Sequence, residues 1–224
     1  MGFLINSSRF AIVATDSYTT DFSSNDGWVG TGTYSYSASG HLQLSSNAGA
    51  IVIDLEDSDV FGAGNLLSNT KNYFEYGYNF SASGADNEQM NGFSTVNQTG
   101  GRTTSQAYFG CCSLLKYSDP AQNGMYIEAT SSGNVPVAGN GTLCQLNWAN
   151  GYYRIKQRRL SATTCSVQIW NEAGDTKLAD SGTHTILSGE GNDLKYIKFL
   201  TYNGSASVYG VNITDLTVRN GVSE

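Results

Sequence analysis

An all-β fold, two antiparallel sheets packed face to face, is what this sequence predicts, and three features carry the expectation. Apolar residues recur with a period of two along much of the chain, the spacing of half-buried strands. Gly, 26 of 224 residues, together with abundant Ser, Thr and Asn, divides those runs into short segments joined by tight turns. No long stretch shows the three-and-four apolar spacing of an amphipathic helix.

Taken in order, residues 1–15 are expected to form an N-terminal arm ahead of a single sandwich domain over residues 16–224. Phe3, Leu4, Ile5, Phe10, Ile12 and Val13 are apolar, and each side chain left in water would forfeit roughly 1.5 to 3 kcal/mol. Something should therefore cover the arm: an edge of its own domain, or a sheet edge of another subunit. From Phe22 onward, Asp26-Gly27-Trp28 reads as a loop carrying a Trp. Strands follow around Tyr34 and Tyr36, His41 to Leu44, and Ala50 to Leu55. Residues 73–80 alternate cleanly, with Phe74, Tyr76, Tyr78 and Phe80 on one face. Such a face must be buried.

Residues 86–101 are polar and Gly-containing, so loops around a short strand near Phe93 are expected. Residues 107–115 are apolar on both faces and read as a central strand, and residues 125–129 as a short one. After a long loop over 131–141, residues 143–148 lead through Asn150-Gly151 into the clearest region of all. There Tyr153, Ile155 and Gln157 face one way and Tyr152, Arg154, Lys156 and Arg158 the other. Ser161 to Thr164 turns the chain, and Cys165, Val167 and Ile169 resume the apolar face as the second arm of a hairpin. Trp170, ending that strand, is assigned to the core. Residues 195–202 and 208–218 are expected to pair as a second hairpin around Asn203-Gly204-Ser205.

The totals exclude several function classes. Net charge is −7, and only Lys156, Arg158 and Arg159 cluster among 12 basic residues, whereas nucleic-acid binding needs a basic face. That cluster reads as a solvated strand face discouraging edge pairing. No stretch approaches the roughly 18 apolar residues of a membrane helix, and residues 1–10 lack the basic start of a secretory leader. Synthesis in a cytoplasm is the expectation. Cys111, Cys112, Cys144 and Cys165 show no metal-type spacing; free, partly buried thiols are expected, with a Cys144 to Cys165 bridge as the alternative. Six Asn-x-Ser/Thr sequons are read as turns and strand faces in a chain rich in those residues. No cofactor is expected, and no Gly-x-Ser-x-Gly elbow or motif surrounds His41 or His184.

The order of Asp26-Gly27-Trp28, Gly40-His41-Leu42-Gln43-Leu44, the aromatic strand 73–80, and Tyr152 to Lys156 leading to Val167-Gln168-Ile169-Trp170 resembles the concanavalin A-like lectin and glucanase superfamily. The resemblance covers residues 21–219 and implies a jelly roll of two large curved antiparallel sheets. The opening Leu4-Ile5-Asn6-Ser7-Ser8-Arg9-Phe10-Ala11 is similar to the first residues of many tailed-phage virion proteins. Superfamily members that cleave glucans carry two Glu flanking an Asp on one strand. The nearest match, Val52-Ile53-Asp54-Leu55-Glu56-Asp57, has Val52 where the leading Glu would stand. Lectins of the superfamily often bind calcium, which directs attention to Asp54, Glu56, Asp57 and Asp59, although a solvated acidic loop is the preferred reading of the cluster. For sugar binding the candidates are Trp28 beside Asp26, and Trp148 beside Asn147 and Asn150, each pairing an aromatic face with hydrogen-bonding groups, with burial in the core as the competing role. The resulting expectation is a non-enzymatic virion structural protein, in a capsid decoration, fibre or tail assembly. It would be homo-oligomeric, work through contacts with other virion proteins and adhere to a surface glycan. A carbohydrate-binding lectin-like module is the first alternative and a glycoside hydrolase of the glucanase type the second.

Overall fold

The computed structural model describes residues 17–32, 34–44, 50–56, 60–64, 66–80, 87–94, 112–117, 124–128, 151–185, 192–202 and 211–224. Among these residues there are fifteen strands and no helix. The first half supplies β1 (Ser17–Thr20), β2 (Val29–Thr31), β3 (Tyr34–Ser37), β4 (His41–Leu44), β5 (Ala50–Asp54), β6 (Asn72–Phe80) and β7 (Asn87–Ser94). The second supplies β8 (Cys112–Tyr117), β9 (Gly124–Glu128), β10 (Gly151–Arg159), β11 (Thr164–Asn171), β12 (Lys177–Asp180), β13 (His184–Thr185), β14 (Tyr196–Tyr202) and β15 (Val211–Asn220).

Two antiparallel sheets result. The larger has nine strands in the order β12-β11-β10-β6-β15-β4-β3, with β1 beside β15 and β13 beside β11; the smaller has six, β2-β5-β14-β7-β8-β9. The long aromatic strand β6 lies near the middle of the larger sheet, with β10 on one side and β15 on the other. Its alternation decides which side chains meet the other sheet. Phe74, Tyr76 and Tyr78 are buried between the layers, and Phe74 meets Phe93 at 5.1 Å and Phe199 at 5.9 Å between ring centroids. Tyr76 meets Phe199 edge-on at 5.6 Å. Aromatic pairs of this kind add about 0.5 to 1.5 kcal/mol to the burial of their surface, so this cluster fastens one sheet to the other.

The hairpin of β10 and β11 forms as the sequence predicts, running from Tyr153 opposite Asn171 to Arg159 opposite Cys165. A hydrogen bond from Leu160 N to Thr164 O (2.9 Å) closes its turn. Cys165 is buried as a free thiol, the expected state; Cys111 and Cys144 lie outside the described residues. The expected second hairpin does not form. β14 pairs with β5 and β7 in the smaller sheet, whereas β15 pairs with β6, β1 and β4 in the larger. An Asn-Gly turn reports that a chain reverses, not that the returning strand stays in the same layer. β7 is also longer than the short strand expected near Phe93.

Two further expectations are corrected. Trp170 stands opposite Arg154 on the outer face of the larger sheet, not in the core, and Lys156 Nζ lies 4.2 Å above its ring. Strand parity explains this, because Val167 and Ile169 point inward and the next residue must point out. The basic cluster does not protect an edge, since β10 is flanked on both sides. Arg158 pairs with Glu224 (2.9 Å), and Arg159 is buried at 2 % exposure, donating to the carbonyls of Ser161 (3.2 Å) and Ala162 (2.9 Å).

One irregularity shapes the outer surface. β15 pairs with β4 through Val211 to Ile213 and with β1 through Leu216 to Arg219, and between these segments its register against β6 slips from Thr214 opposite Gly77 to Thr217 opposite Glu75. This is a β-bulge, and Asp215 within it takes φ 48°, a left-handed conformation that Asp tolerates better than most residues. Gly77 makes room for the bulge, because a Cβ there would overlap the Thr214 side chain.

Candidate surface site on the nine-stranded sheet

Outward-facing residues of β10, β6 and β15 build the site. Parity points Tyr152 and Arg154 away from the core, while Tyr153 and Ile155 fill it. The Arg154 guanidinium is held at three points. Its Nη1 donates to Glu75 Oε1 (3.0 Å), its Nη2 to Asp215 Oδ2 (3.0 Å), and its Nε to the Glu172 carbonyl (3.1 Å). Glu75 also accepts a hydrogen bond from the Tyr73 hydroxyl. Burial, reinforced by that bond, holds the Tyr73 phenol above its ordinary pKa.

Around this clamp opens a polar pocket of about 400 Å³, with Gly77, Thr214 and Asp215 on the bulge side and Ser39, Glu172 and Tyr152 among the other walls. Tyr152 is 48 % exposed, one of three large hydrophobic residues left so open among the described residues. A second pocket, of about 530 Å³, lies on the other side of Asp215 and is lined by Thr20, Asp21, Ser23, Ser24, Asp26 and Thr217 among others. Asp26 accepts hydrogen bonds from Thr20 Oγ1 (2.9 Å) and Ser24 Oγ (2.5 Å). The Ser23 amide, donating to Asp21 Oδ1 at 2.9 Å, holds the Asp21 carboxyl below its usual range. Asp215 belongs to both pockets.

The sequence candidates fall unevenly on this geometry. Asp26 lines the second pocket. Trp28 is 2 % exposed, so it presents no ring face to a sugar; its ring packs 5.5 Å from Phe22 and 5.6 Å from Phe199, and its Nε1 donates to Tyr18 OH at 3.3 Å. Phe22 adopts φ 56° to bring its ring into the same cluster. Trp148, Asn147 and Asn150, and the arm residues Phe3, Leu4, Ile5, Phe10 and Ile12, lie outside the described residues. So do Asp57 and Asp59. Asp54 accepts the Glu56 amide (3.0 Å), and Glu56 is engaged by the Gly64 amide (3.3 Å) and Lys195 Nζ (3.3 Å). Among the described residues no three His, Cys, Asp or Glu side chains converge as metal ligands. His41 Nδ1 meets Ser39 Oγ at 3.3 Å, and His184 Nε2 meets the Ser181 carbonyl at 2.6 Å. Tyr152 and Arg154 were legible as an outward face but not as a site, and nothing in the sequence marks Asp215, since its position depends on the bulge.

Two antiparallel sheets closed over one aromatic core, with this strand order, define a concanavalin A-like jelly roll. Solved structures agree. Arcelin-5, a lectin-like defense protein from Phaseolus vulgaris, superposes with a TM-score of 0.62 at 12% identity, covering 92% of this chain and 98% of its own. The exoplasmic/lumenal domain of VIP36, in a Ca2+/Man3GlcNAc-bound form, gives 0.59 at 10% identity over 88% and 85%. The CBM2 module of the Lactobacillus casei BL23 phage J-1 evolved Dit gives 0.52 at 10% identity over 92% and 96%. By sequence, no family model and no curated protein matches the chain.

Proposed function

We propose that this chain is a non-enzymatic structural component of a tailed-phage virion, in a decoration, fibre or tail assembly, whose sandwich adheres to a surface glycan. The observation that carries the adhesive role is Tyr152, a half-exposed ring on the wall of a polar pocket beside Arg154, Glu172 and Asp215. Sugars present an apolar ring face and a rim of hydroxyls, so an exposed aromatic flanked by charged acceptors and donors suits them. Arg154 and Asp215 stand on sheet strands and are held by the three-point clamp, so these two lose little side-chain freedom on binding. Fold likeness to VIP36 in its Man3GlcNAc-bound form and to the CBM2 module of a phage Dit supports the same reading. A glucanase has less support: the position for a leading acid is held by Val52, and Glu56 is engaged by Lys195.

A glycan array probed with the full chain and with Tyr152→Ala tests the proposal. The wild type is expected to bind at least one glycan, and the variant to lose about tenfold or more in affinity, or about 1.4 kcal/mol. Silence of the wild type across the array would defeat the adhesive role.

A further inference from the structure

We infer that the two pockets joined at Asp215 form one groove with two subsites, and that its ligand is a neutral oligosaccharide rather than a single sugar or an acidic polymer. This rests on the adhesive reading and specifies its ligand. The pockets, of about 400 and 530 Å³, share Asp215 of the bulge, with Thr214 continuing the lining of the first and Leu216 and Thr217 that of the second. A ligand stacked on Tyr152 in the first pocket has the second as the next cavity across Asp215. Both volumes fall in the range of small-molecule sites.

The two ends differ in chemistry. The first pocket has the aromatic platform and the one guanidinium of the groove, and Arg154 already faces Glu75, Asp215 and the Glu172 carbonyl. The second has neither an aromatic nor a cation in its lining. Carboxylates of Asp21, Asp26 and Asp215 and hydroxyls of Thr20, Ser23, Ser24 and Thr217 supply its polar atoms. Carboxylates only accept hydrogen bonds, so they select ligands that donate, which sugar hydroxyls do. A uronic acid or sialic acid would instead bring its own carboxylate against those of Asp21 and Asp26, Asp215 being paired with Arg154, and like charges placed together reject a ligand. The first subsite therefore grips one ring, and the second extends the contact through hydroxyls alone.

Calorimetric titration of the full chain tests this with gluco-, galacto- and manno-configured sugars of one to four units. Oligogalacturonates and chitosan oligomers of matching length serve as anionic and cationic counterparts. One neutral series is expected to gain about tenfold in affinity from monosaccharide to tetrasaccharide as the second subsite fills. Asp21→Asn with Asp26→Asn should abolish that gain while leaving the monosaccharide within about twofold, and Tyr152→Ala should weaken every length about tenfold. Melting temperatures of all variants report whether each folds. Affinity independent of length, a gain that survives the Asp substitutions, or tighter binding of either charged series would overturn the groove. Glycan binding untouched by any of these substitutions would overturn it while leaving the adhesive role intact; silence of the wild type toward the panel and the array would overturn both.

Discussion

Lys198 carries an ammonium group to a fully buried position on β14, flanked by Val52 on one side and Gly92 on the other, and burial pulls its pKa down to about 8 from 10.5. The unfolded chain keeps the proton across that interval and the native chain does not. Stability contributed by this group therefore rises with pH between about 8 and 10.5. Urea unfolding should show the stability of the wild type rising relative to that of Lys198→Met between about pH 8 and about pH 10. Two aromatic residues make a second contrast. Trp28→Ala should cost about 3 to 5 kcal/mol through the cavity among Phe22 and Phe199, whereas Tyr152→Ala should change stability by about 0.5 kcal/mol or less, both by chemical denaturation. From the sequence, Trp28 was a candidate sugar platform with core burial as the competing role, whereas Tyr152 was read only as an outward strand residue. The fate of Trp28 was decided by Phe199, which is distant in sequence and carries no local mark of the encounter.

Strands with clean period-two alternation were legible as elements, even where the inner face includes buried polar residues such as Gln157 and Arg159 of β10; the sheet to which a strand belongs was not. β6, β10 and β11 announce themselves through alternation. β7 does not, because its inner face includes Asn91, which is buried and donates through Nδ2 to Tyr76 OH across the gap between the sheets at 2.8 Å. A polar residue that finds such a partner can sit in a core, and its sequence then reads as loop. The bulge was equally hidden, being a matter of register between β15 and β6. Gly77→Ala tests its importance: the added methyl meets Thr214, and relieving the overlap must flatten or shift the bulge. A loss of about 1 to 3 kcal/mol in urea unfolding is expected, with weakened glycan binding as Asp215 leaves its place.

At the scale of the whole molecule, a net charge of −7 and a surface of sheet faces suit a protein that works by contact. The fold class was legible because period-two alternation permits little else, whereas the pairing of strands between layers was not, since it depends on contacts far apart in sequence. If residues 1–15 link copies of the chain, a variant beginning at Asp16 should elute as a smaller species than the full chain in size-exclusion chromatography, with an unchanged melting temperature. Equal elution of the two would remove the arm from the assembly role.

The position of β15 has one more consequence. It is the latest described strand in the chain, yet among the described residues it alone joins β6 to β1, β4 and β3 in the larger sheet. On the ribosome those three early strands emerge before β15 exists, β3 and β4 with only each other as sheet neighbours, and they wait through roughly 170 to 200 residues of synthesis for the segment that seats them. Their apolar residues, Tyr18, Leu42 and Leu44, stay available to strangers for that whole interval.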